Sequence, residues 1–199
     1  MKLYANRTSP YVRVVRMAIA ELRMSAQVEV VMVQTRVPEC EVNEFVPTGK
    51  IPVLATADGY FFSESRLICQ YLDAMHTDEP IVDHDPMEAD RAFEGVVTGF
   101  LDGVSVWIRE LRRPQEEQSP GIIEQERARV GRCIAWLEQQ AGVINALDDR
   151  VDYPRLCLGV ALFTIDDRIK APGWRESAPK LAGWYEAFSQ RPSFQSTGS

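Results

Sequence analysis

The stretch from residue 47 to residue 72 reads PTGKIPVLATADGYFFSESRLICQYL and contains three local signals in a fixed order. Ile51-Pro52-Val53-Leu54 has the composition of a strand with proline at its entrance. Asp58-Gly59 predicts a hairpin turn into a second strand at residues 60–63. Glu64-Ser65 then opens a helix. Its buried face consists of apolar and aromatic residues at helical spacing, namely Leu67, Ile68, Tyr71 and Leu72.

The residues before this stretch predict a strand, a helix and a second strand. Lys2 to Ala5 is a short apolar and aromatic run. Ser9-Pro10 is typical of a helix start, because a hydroxyl cap is followed by proline at the first helical position. Val28 to Val33 is rich in β-branched residues and predicts a strand, and residues 35–46 are irregular with room for one helical turn. The order over residues 1–76 predicts an α/β domain.

The rest of the chain predicts a linker and a helical domain. Residues 77–85 are acidic, contain proline and show no periodicity, so we expect a linker there. Residues 86–199 predict only helices. The expected helix starts each combine a capping residue or a proline: Asp85-Pro86, Ser119-Pro120, Asp152 and Ser177-Ala178-Pro179. The expected ends lie near Arg112, Gln140, Arg168 and Arg191.

Composition excludes several classes of partner. The 199 residues carry a formal net charge of −7, which gives no general field to attract nucleic acid or an anionic membrane. The longest stretch without a charged residue, Leu156–Ile165, is well below the roughly 18 residues that a membrane span needs. We therefore expect a cytoplasmic protein that contacts neither nucleic acid nor membrane. The four cysteines lie too far apart for a metal quartet, so we expect free thiols and no metal site.

Two predicted helix starts could bind a ligand. A helix N-terminus offers unpaired N–H groups and the positive end of a dipole, and Ser9 adds a hydroxyl that can cap its helix and still donate to a thiolate. Glu64-Ser65 offers N–H groups and a hydroxyl for a carboxylate, with an acidic side chain for an ammonium group. Taken alone, a Ser-Pro helix start is usually only a structural cap, and the Glu64-Ser65 signal is also weak alone. Together they predict a site for an amino-acid head group.

Three glycines recur at four-residue spacing in the first long helix of the predicted helical domain: Gly95, Gly99 and Gly103. Each glycine costs about 1 kcal/mol relative to alanine in a helix interior, so a smooth stripe needs a reason. We interpret it as close packing at a helix pair or a subunit interface, with ligand contact as the alternative.

Four ordered motifs together are more specific than any of these signals alone. They are Lys2-Leu3-Tyr4 with Thr8-Ser9-Pro10-Tyr11-Val12-Arg13, the loop and strand at 47–54, the helix at 64–72, and the aromatic segment at 179–194. These motifs resemble those of the glutathione transferases, particularly the bacterial cytosolic ones with serine at the active helix. The resemblance covers nearly the whole chain. It implies a thioredoxin-like N-terminal domain, an all-α helical C-terminal domain, and a homodimer.

The resemblance also implies roles for individual residues. Ser9 would stabilise the glutathione thiolate as the catalytic residue. Lys50 would face the glycine carboxylate of glutathione. The backbone of Ile51 would pair with the cysteinyl unit, which requires a cis peptide bond before Pro52.

The second helix start has a role in the same scheme. Glu64 and Ser65 would hold the γ-glutamyl end of glutathione, which is the co-substrate. The second substrate would be a small hydrophobic electrophile bound beside helical side chains such as Phe100, Val104 and Trp107.

This sequence departs from the family pattern at three places. Val46 stands where the family usually has asparagine, so a polar anchor of the active loop is missing. Asp152 and Arg155 replace a Ser/Thr-x-x-Asp capping box, so Asp152 can cap its helix without a reciprocal carboxylate. Residue 9 is serine and not cysteine, which argues against disulfide-exchange chemistry. Tyr4 and Tyr11 remain alternative hydroxyls for the thiolate.

The leading interpretation is a glutathione transferase that conjugates the glutathione thiolate to a small electrophile, as in detoxification. A non-catalytic interaction protein of the same fold is one alternative. A glutathione-dependent isomerase, etherase or dehalogenase is the other. Retention on immobilised glutathione would separate the first two, and a panel of substrates would identify the third.

Overall fold

The computed structural model describes residues 1–75, 79–145, 150–171 and 173–198. The chain forms two compact units, one of residues 1–85 with 192–199 and one of residues 86–191. The second unit begins where the sequence predicts the helical domain to begin. It lacks residues 192–199, however, which the sequence assigned to that domain. His76, Thr77 and Asp78, at the predicted junction of domain and linker, lie outside the described residues.

The first unit is built on a four-stranded mixed sheet. Its strands are β1 (Lys2–Ala5), β2 (Glu29–Met32), β3 (Val53–Ala55) and β4 (Phe61–Ser63). Their spatial order is β2-β1-β3-β4; β2 is parallel to β1, and the other neighbouring pairs are antiparallel. Tyr4 lies opposite Val53, and Val53 lies opposite Ser63. The end of β1, the start of β3 and the end of β4 therefore meet at one end of the sheet.

Helices complete both units. The first unit contains α1 (Pro10–Glu21), α2 (Val42–Phe45), α3 (Ser65–Asp73) and, near the C-terminus, α10 (Pro192–Ser196). The second unit contains α4 (Glu88–Leu111), α5 (Pro120–Gln139), α6 (Ala141–Ile144), α7 (Tyr153–Phe163), α8 (Trp174–Ser177) and α9 (Pro179–Ser189). The predicted division into an α/β part and an all-helical part is confirmed. None of the helices in the described part of the chain has the length and apolarity to cross a bilayer.

Two helix boundaries differ from the sequence prediction. The helix expected from Asp85-Pro86 begins at Glu88, after Met87 in an extended conformation. The Asp85 N–H donates to Asp83 Oδ1 (2.9 Å) in the turn that precedes it. The last helix of the second unit ends at Ser189, and a separate short helix, α10, follows it.

The helix expected from Asp152 to Arg168 changes form part-way. It is α-helical to Phe163 and continues as a π-helical turn from Thr164 to Ile169. The Thr164 hydroxyl donates to the Val160 carbonyl (2.8 Å) at the point of change. Such a side-chain bond competes with the backbone ladder and bends helices.

The predicted linker is anchored to the first unit. Ile81 and Val82 are buried, and their N–H groups donate to the two carboxylate oxygens of Asp73 at 2.9 and 2.8 Å. Asp73 ends α3 and is itself buried. Residues 81–82 therefore fold with the sheet unit and do not form an exposed tether.

The C-terminal helix α10 packs on α1, which explains why residues 192–199 belong to the first unit. The buried Arg13 donates from Nη2 to the Phe194 carbonyl (3.0 Å), and its guanidinium lies 4.2 Å from the centre of the Phe194 ring. Ser193 donates to Glu21 Oε1 at 2.5 Å. These contacts join residues at opposite ends of the sequence.

The glycine stripe has two environments. A Cβ at Gly103 would come within 2.9 Å of Glu126 Oε2 and Arg129 Cδ on α5, so this glycine permits close helix packing, as expected. A Cβ at Gly95 or Gly99 would meet no atom within 4 Å among the described residues. Packing inside the helical unit therefore accounts for one glycine of the three.

Candidate functional site

The sheet register brings three predicted site segments to one end of the first unit. Ser9 follows the end of β1 and starts α1, Ile51-Pro52 precedes the start of β3, and Glu64-Ser65 follows the end of β4. These segments are distant in sequence, and the two antiparallel pairings place them together. The end of β2, which is parallel to β1, adds the loop that contains Thr35 to the same end.

Ser9 caps α1 and retains a hydrogen to donate. It is half-buried, its backbone is extended, and its hydroxyl oxygen accepts from the Val12 N–H at 3.3 Å. Its carbonyl accepts from the Arg13 N–H at 3.1 Å. Among the described residues, nothing accepts the Ser9 hydroxyl hydrogen. The first turn of α1 contains no acidic residue, so the positive end of the helix dipole is not neutralised there.

Asn6 fixes the turn before Ser9, and our sequence analysis missed it. Its Oδ1 accepts from the Thr8 N–H (3.0 Å) and from the Ser9 N–H (2.8 Å). Its Nδ2 donates over a longer distance, 3.4 Å, to the Thr35 hydroxyl. An asparagine three residues before a helix cap is a readable signal, because Asn side chains commonly bond to the backbone two residues on.

The loop before β3 exposes backbone groups beside a cis proline. The Ile51–Pro52 peptide bond is cis, as predicted. No backbone hydrogen bond joins Ile51 to any described residue, and the Lys50 side chain is exposed. Gly49 has φ +58°, and a Cβ there would lie 2.7 Å from Asn43 Oδ1, so the loop requires glycine at this place.

Apolar packing supports this loop in place of the expected polar anchor. Val46 is buried in a cluster with Cys40, Val42 and Val53, and Ile51 packs against the same cluster. The Gly49 N–H donates to the Val46 carbonyl at 2.9 Å. Valine at residue 46 therefore holds the loop through its side chain in the core and its backbone in the turn.

The start of α3 is strained at Glu64. This residue has φ 71° and ψ 120°, it is exposed, and its side chain does not cap the helix. A non-glycine residue with this backbone costs of order 1–3 kcal/mol and commonly occurs at functional sites. Ser65, the first residue of α3, is 4% exposed, so its hydroxyl lies below the surface that Glu64 presents.

Tyr4 and the three residues predicted to line the apolar pocket pack in apolar surroundings. The Tyr4 ring packs 4.9 Å from the Phe45 ring, within the apolar cluster beneath the loop. Phe100 and Val104 have no exposed surface and Trp107 is 5% exposed, so all three side chains are in the core of the helical unit.

A family model described as the N-terminal domain of glutathione S-transferase matches residues 3–80. The chain is also 31% identical to glutathione S-transferase 2 of Saccharomyces cerevisiae, over 97% of this chain and 87% of the yeast protein. The chain belongs to the glutathione S-transferase family. The first unit is therefore the family's thioredoxin-like domain, with the mixed sheet and helices already described.

Two other members of the glutathione S-transferase family are similar over nearly their full length. The uncharacterised GST-like protein YibF of Escherichia coli strain K12 is 29% identical, over 99% of this chain and 98% of YibF. A family member from Pseudomonas fluorescens Pf-5, crystallised with bound glutathione, is 30% identical with a TM-score of 0.88. That alignment covers 99% of this chain and 98% of the Pseudomonas chain.

Asp152 and Arg155, which replace the family's usual capping box, cap α7 in a different way. Asp152 caps α7 by accepting from the Arg155 N–H at 3.0 Å, and the Arg155 guanidinium donates to the other carboxylate oxygen. Arg155 also donates to the carbonyls of Val143 and Ile144 in α6. The arginine thus joins two helix ends, where a reciprocal carboxylate would serve only one.

Proposed function

We propose that this protein is a glutathione transferase that conjugates the glutathione thiolate to a small hydrophobic electrophile. The observation that supports this most is the shared position, at one end of the sheet, of the Ser9 hydroxyl, the Ile51 backbone and the strained start of α3. The Ile51 backbone makes no backbone hydrogen bond to the described residues. The glutathione bound to the similar Pseudomonas protein agrees with it.

Ser9 has the properties of the group that activates the sulfur. A free thiol has a pKa near 8.5, so a donor that favours the anion increases the reactive fraction at neutral pH. The Ser9 hydroxyl can donate while it accepts from Val12, and the N-terminus of α1 adds a positive potential. The thiolate then attacks the electrophile, and a lone pair of the sulfur forms the new carbon–sulfur bond. In a substitution the carbon–leaving-group bond breaks and its electron pair departs with the leaving group; in an addition the π pair of the double bond moves onto the acceptor and is then protonated.

The other predicted residues have matching roles in binding. The N–H and carbonyl of Ile51 would pair with the backbone of the cysteinyl unit. The exposed ammonium of Lys50 would meet the glycine carboxylate. Ser65 and the first N–H groups of α3 would receive the γ-glutamyl carboxylate, with Glu64 beside the ammonium group.

We propose in addition that the protein is a homodimer. Four large apolar side chains are exposed between the turn before β4 and the residues after α3: Tyr60 is 69% exposed, Phe61 41%, Leu67 51% and Met75 50%. The sequence predicted Leu67 on the buried face of α3, and that prediction is wrong. This number of exposed apolar side chains in one segment supports an interaction surface there. Light scattering after size exclusion should give a dimer mass for the natural protein and a monomer mass for Leu67→Glu. Val143→Glu, at a comparably exposed residue of the helical unit, should remain dimeric.

The test of the proposed function has two steps. The protein should be retained on immobilised glutathione, be eluted by free glutathione, and conjugate glutathione to chlorodinitrobenzene with the appearance of the coloured thioether. A folded protein that is not retained would contradict the proposal and favour an interaction protein. Retention without conjugation of aryl halides, epoxides or enones would redirect it to isomerisation, ether cleavage or dehalogenation.

A further inference from the structure

We propose that Asn6 is a positioning residue, whose side-chain oxygen fixes the backbone of Ser9 so that the Ser9 hydroxyl points its hydrogen at the glutathione sulfur. This inference rests on the proposed function, and it concerns a residue that does not itself touch the substrate.

The geometry of Asn6 supports this role. Two backbone N–H groups, those of Thr8 and Ser9, converge on its Oδ1 at 3.0 and 2.8 Å. Because both are donors, the atom between them must be the oxygen of the amide, and the Nδ2 group then faces Thr35. The side chain therefore bridges the turn after β1 and the loop after β2.

The bond from Asn6 means that both backbone polar groups of Ser9 have hydrogen-bond partners. The Ser9 N–H is held by Asn6 at 2.8 Å, and the Ser9 carbonyl is held by the Arg13 N–H at 3.1 Å. The two peptide planes that flank Ser9 are fixed in this way, so the direction of its side chain is fixed as well. The bond from Val12 occupies one lone pair of the hydroxyl, which leaves its hydrogen as the remaining donor.

Because the Ser9 N–H donates to Asn6, it is not available to bind the glutathione sulfur. With that N–H committed, and with no N–H on Pro10, Ser9 can approach a sulfur anion only through its hydroxyl. The amide of Asn6 is neutral, so it holds two N–H groups without placing negative charge beside a thiolate.

The test is a double-mutant cycle between residue 6 and residue 9. Asn6→Ala, Ser9→Gly and the double variant are titrated with glutathione bound, and the thiolate is read from its ultraviolet absorbance. Affinity for S-methylglutathione, which has no thiol, is measured by calorimetry. Asn145→Ala serves as the matched control, because Asn145 also makes a side-chain bond to a backbone group, the Ala141 carbonyl, but in the helical unit.

We expect Asn6→Ala to reduce the fraction of bound thiolate near neutral pH about three- to ten-fold, as for one lost hydrogen bond. Affinity for S-methylglutathione should stay close to that of the natural protein. In the Ser9→Gly background the same substitution should change nothing further, because no hydroxyl remains to be aimed. Asn6→Ser, which keeps a neutral acceptor, should recover part of the loss, and it provides the test if the alanine variant does not fold.

The two possible failures are distinguishable. An equal loss of thiolate in both backgrounds, or no loss with Ser9 present, would overturn the role of Asn6 alone. A Ser9→Gly variant with an unchanged thiol titration would overturn the role of Ser9 together with this inference, and a natural protein that does not bind glutathione would overturn the proposed function as well.

Discussion

The starts of α1 and α5 have the same sequence, Ser-Pro, and nearly the same cap. The Ser9 hydroxyl accepts from the N–H three residues on at 3.3 Å, and the Ser119 hydroxyl does so at 3.4 Å. The two starts differ in the group that accepts the N–H of the capping serine. The Ser9 N–H donates to the neutral amide of Asn6, whereas the Ser119 N–H donates to the carboxylate of Glu110 at 2.6 Å.

This difference decides which helix start can receive an outside anion. Glu110 places a negative charge at the positive end of α5, so the protein itself neutralises that dipole. α1 has no acidic residue in its first turn, and Asn6 adds no charge. The same dipeptide is therefore only a helix cap at Ser119 and, in our proposal, also a thiolate donor at Ser9.

The largest expected difference between the starts of α1 and α5 is in the effect of removing their serine hydroxyls. Ser9→Gly and Ser119→Gly should each cost only a few tenths of a kcal/mol in stability, since glycine is an adequate cap. Ser9→Gly should raise the pKa of the bound glutathione thiol by about one to two units and lower turnover near neutral pH about ten- to a hundred-fold. Ser119→Gly should change neither quantity. Thiolate absorbance and steady-state rates measure both, and an identical titration in the two variants would make Ser9 a cap only.

The start of α3 is a third helix start, which we propose binds the γ-glutamyl end of glutathione. Ser65→Ala should raise the glutathione dissociation constant by about ten-fold or more, through loss of a charge-assisted bond to a carboxylate. Ser105→Ala is the control, because Ser105 is an equally buried serine in α4 of the helical unit. Calorimetry gives both constants. Unchanged affinity in Ser65→Ala would place the γ-glutamyl group elsewhere.

Asn6→Asp should convert the start of α1 into a copy of the start of α5. The carboxylate can still accept from Thr8 and Ser9, so we expect stability to be preserved. Its charge should raise the pKa of the bound thiol by about one unit through Coulomb repulsion screened by solvent. Thiolate absorbance across pH measures the shift. A thiol pKa that stays constant would mean that the sulfur is not bound near this turn.

Glu110→Gln should make the start of α5 uncharged, like the start of α1, and should have the smallest effect of these substitutions. The amide keeps an acceptor for the Ser119 N–H but removes the charge at the N-terminus of α5, so unfolding by urea should show a loss of about 0.5–1 kcal/mol. Glutathione affinity and turnover should match those of the natural protein. A change in turnover would show that the two helix starts are coupled.

Much of the candidate site follows from local sequence signals. The caps and prolines at Ser9, Ser119 and Asp152 begin helices as predicted, and the turn at Asp58-Gly59 joins two strands. The short helices α6, α8 and α10 were not predicted, because runs of four or five residues carry too little periodicity. Asn6 was not predicted either. Its place before the Ser9 cap is a local signal, but a single asparagine does not reveal that its Oδ1 accepts from Thr8 and Ser9 while its Nδ2 reaches Thr35.

The sequence by itself determined where the strands and most of the long helices begin, because caps, prolines and hairpin turns act on the residues directly next to them. It did not determine the surroundings of each start. Glu110 reaches Ser119 across a loop, and Arg13 contacts Phe194 near the other end of the chain. Sheet pairing likewise brought the Ser9, Ile51 and Glu64 segments to one end of the first unit. Only tertiary structure decides such contacts, because they join residues whose separation leaves no periodic pattern in the sequence.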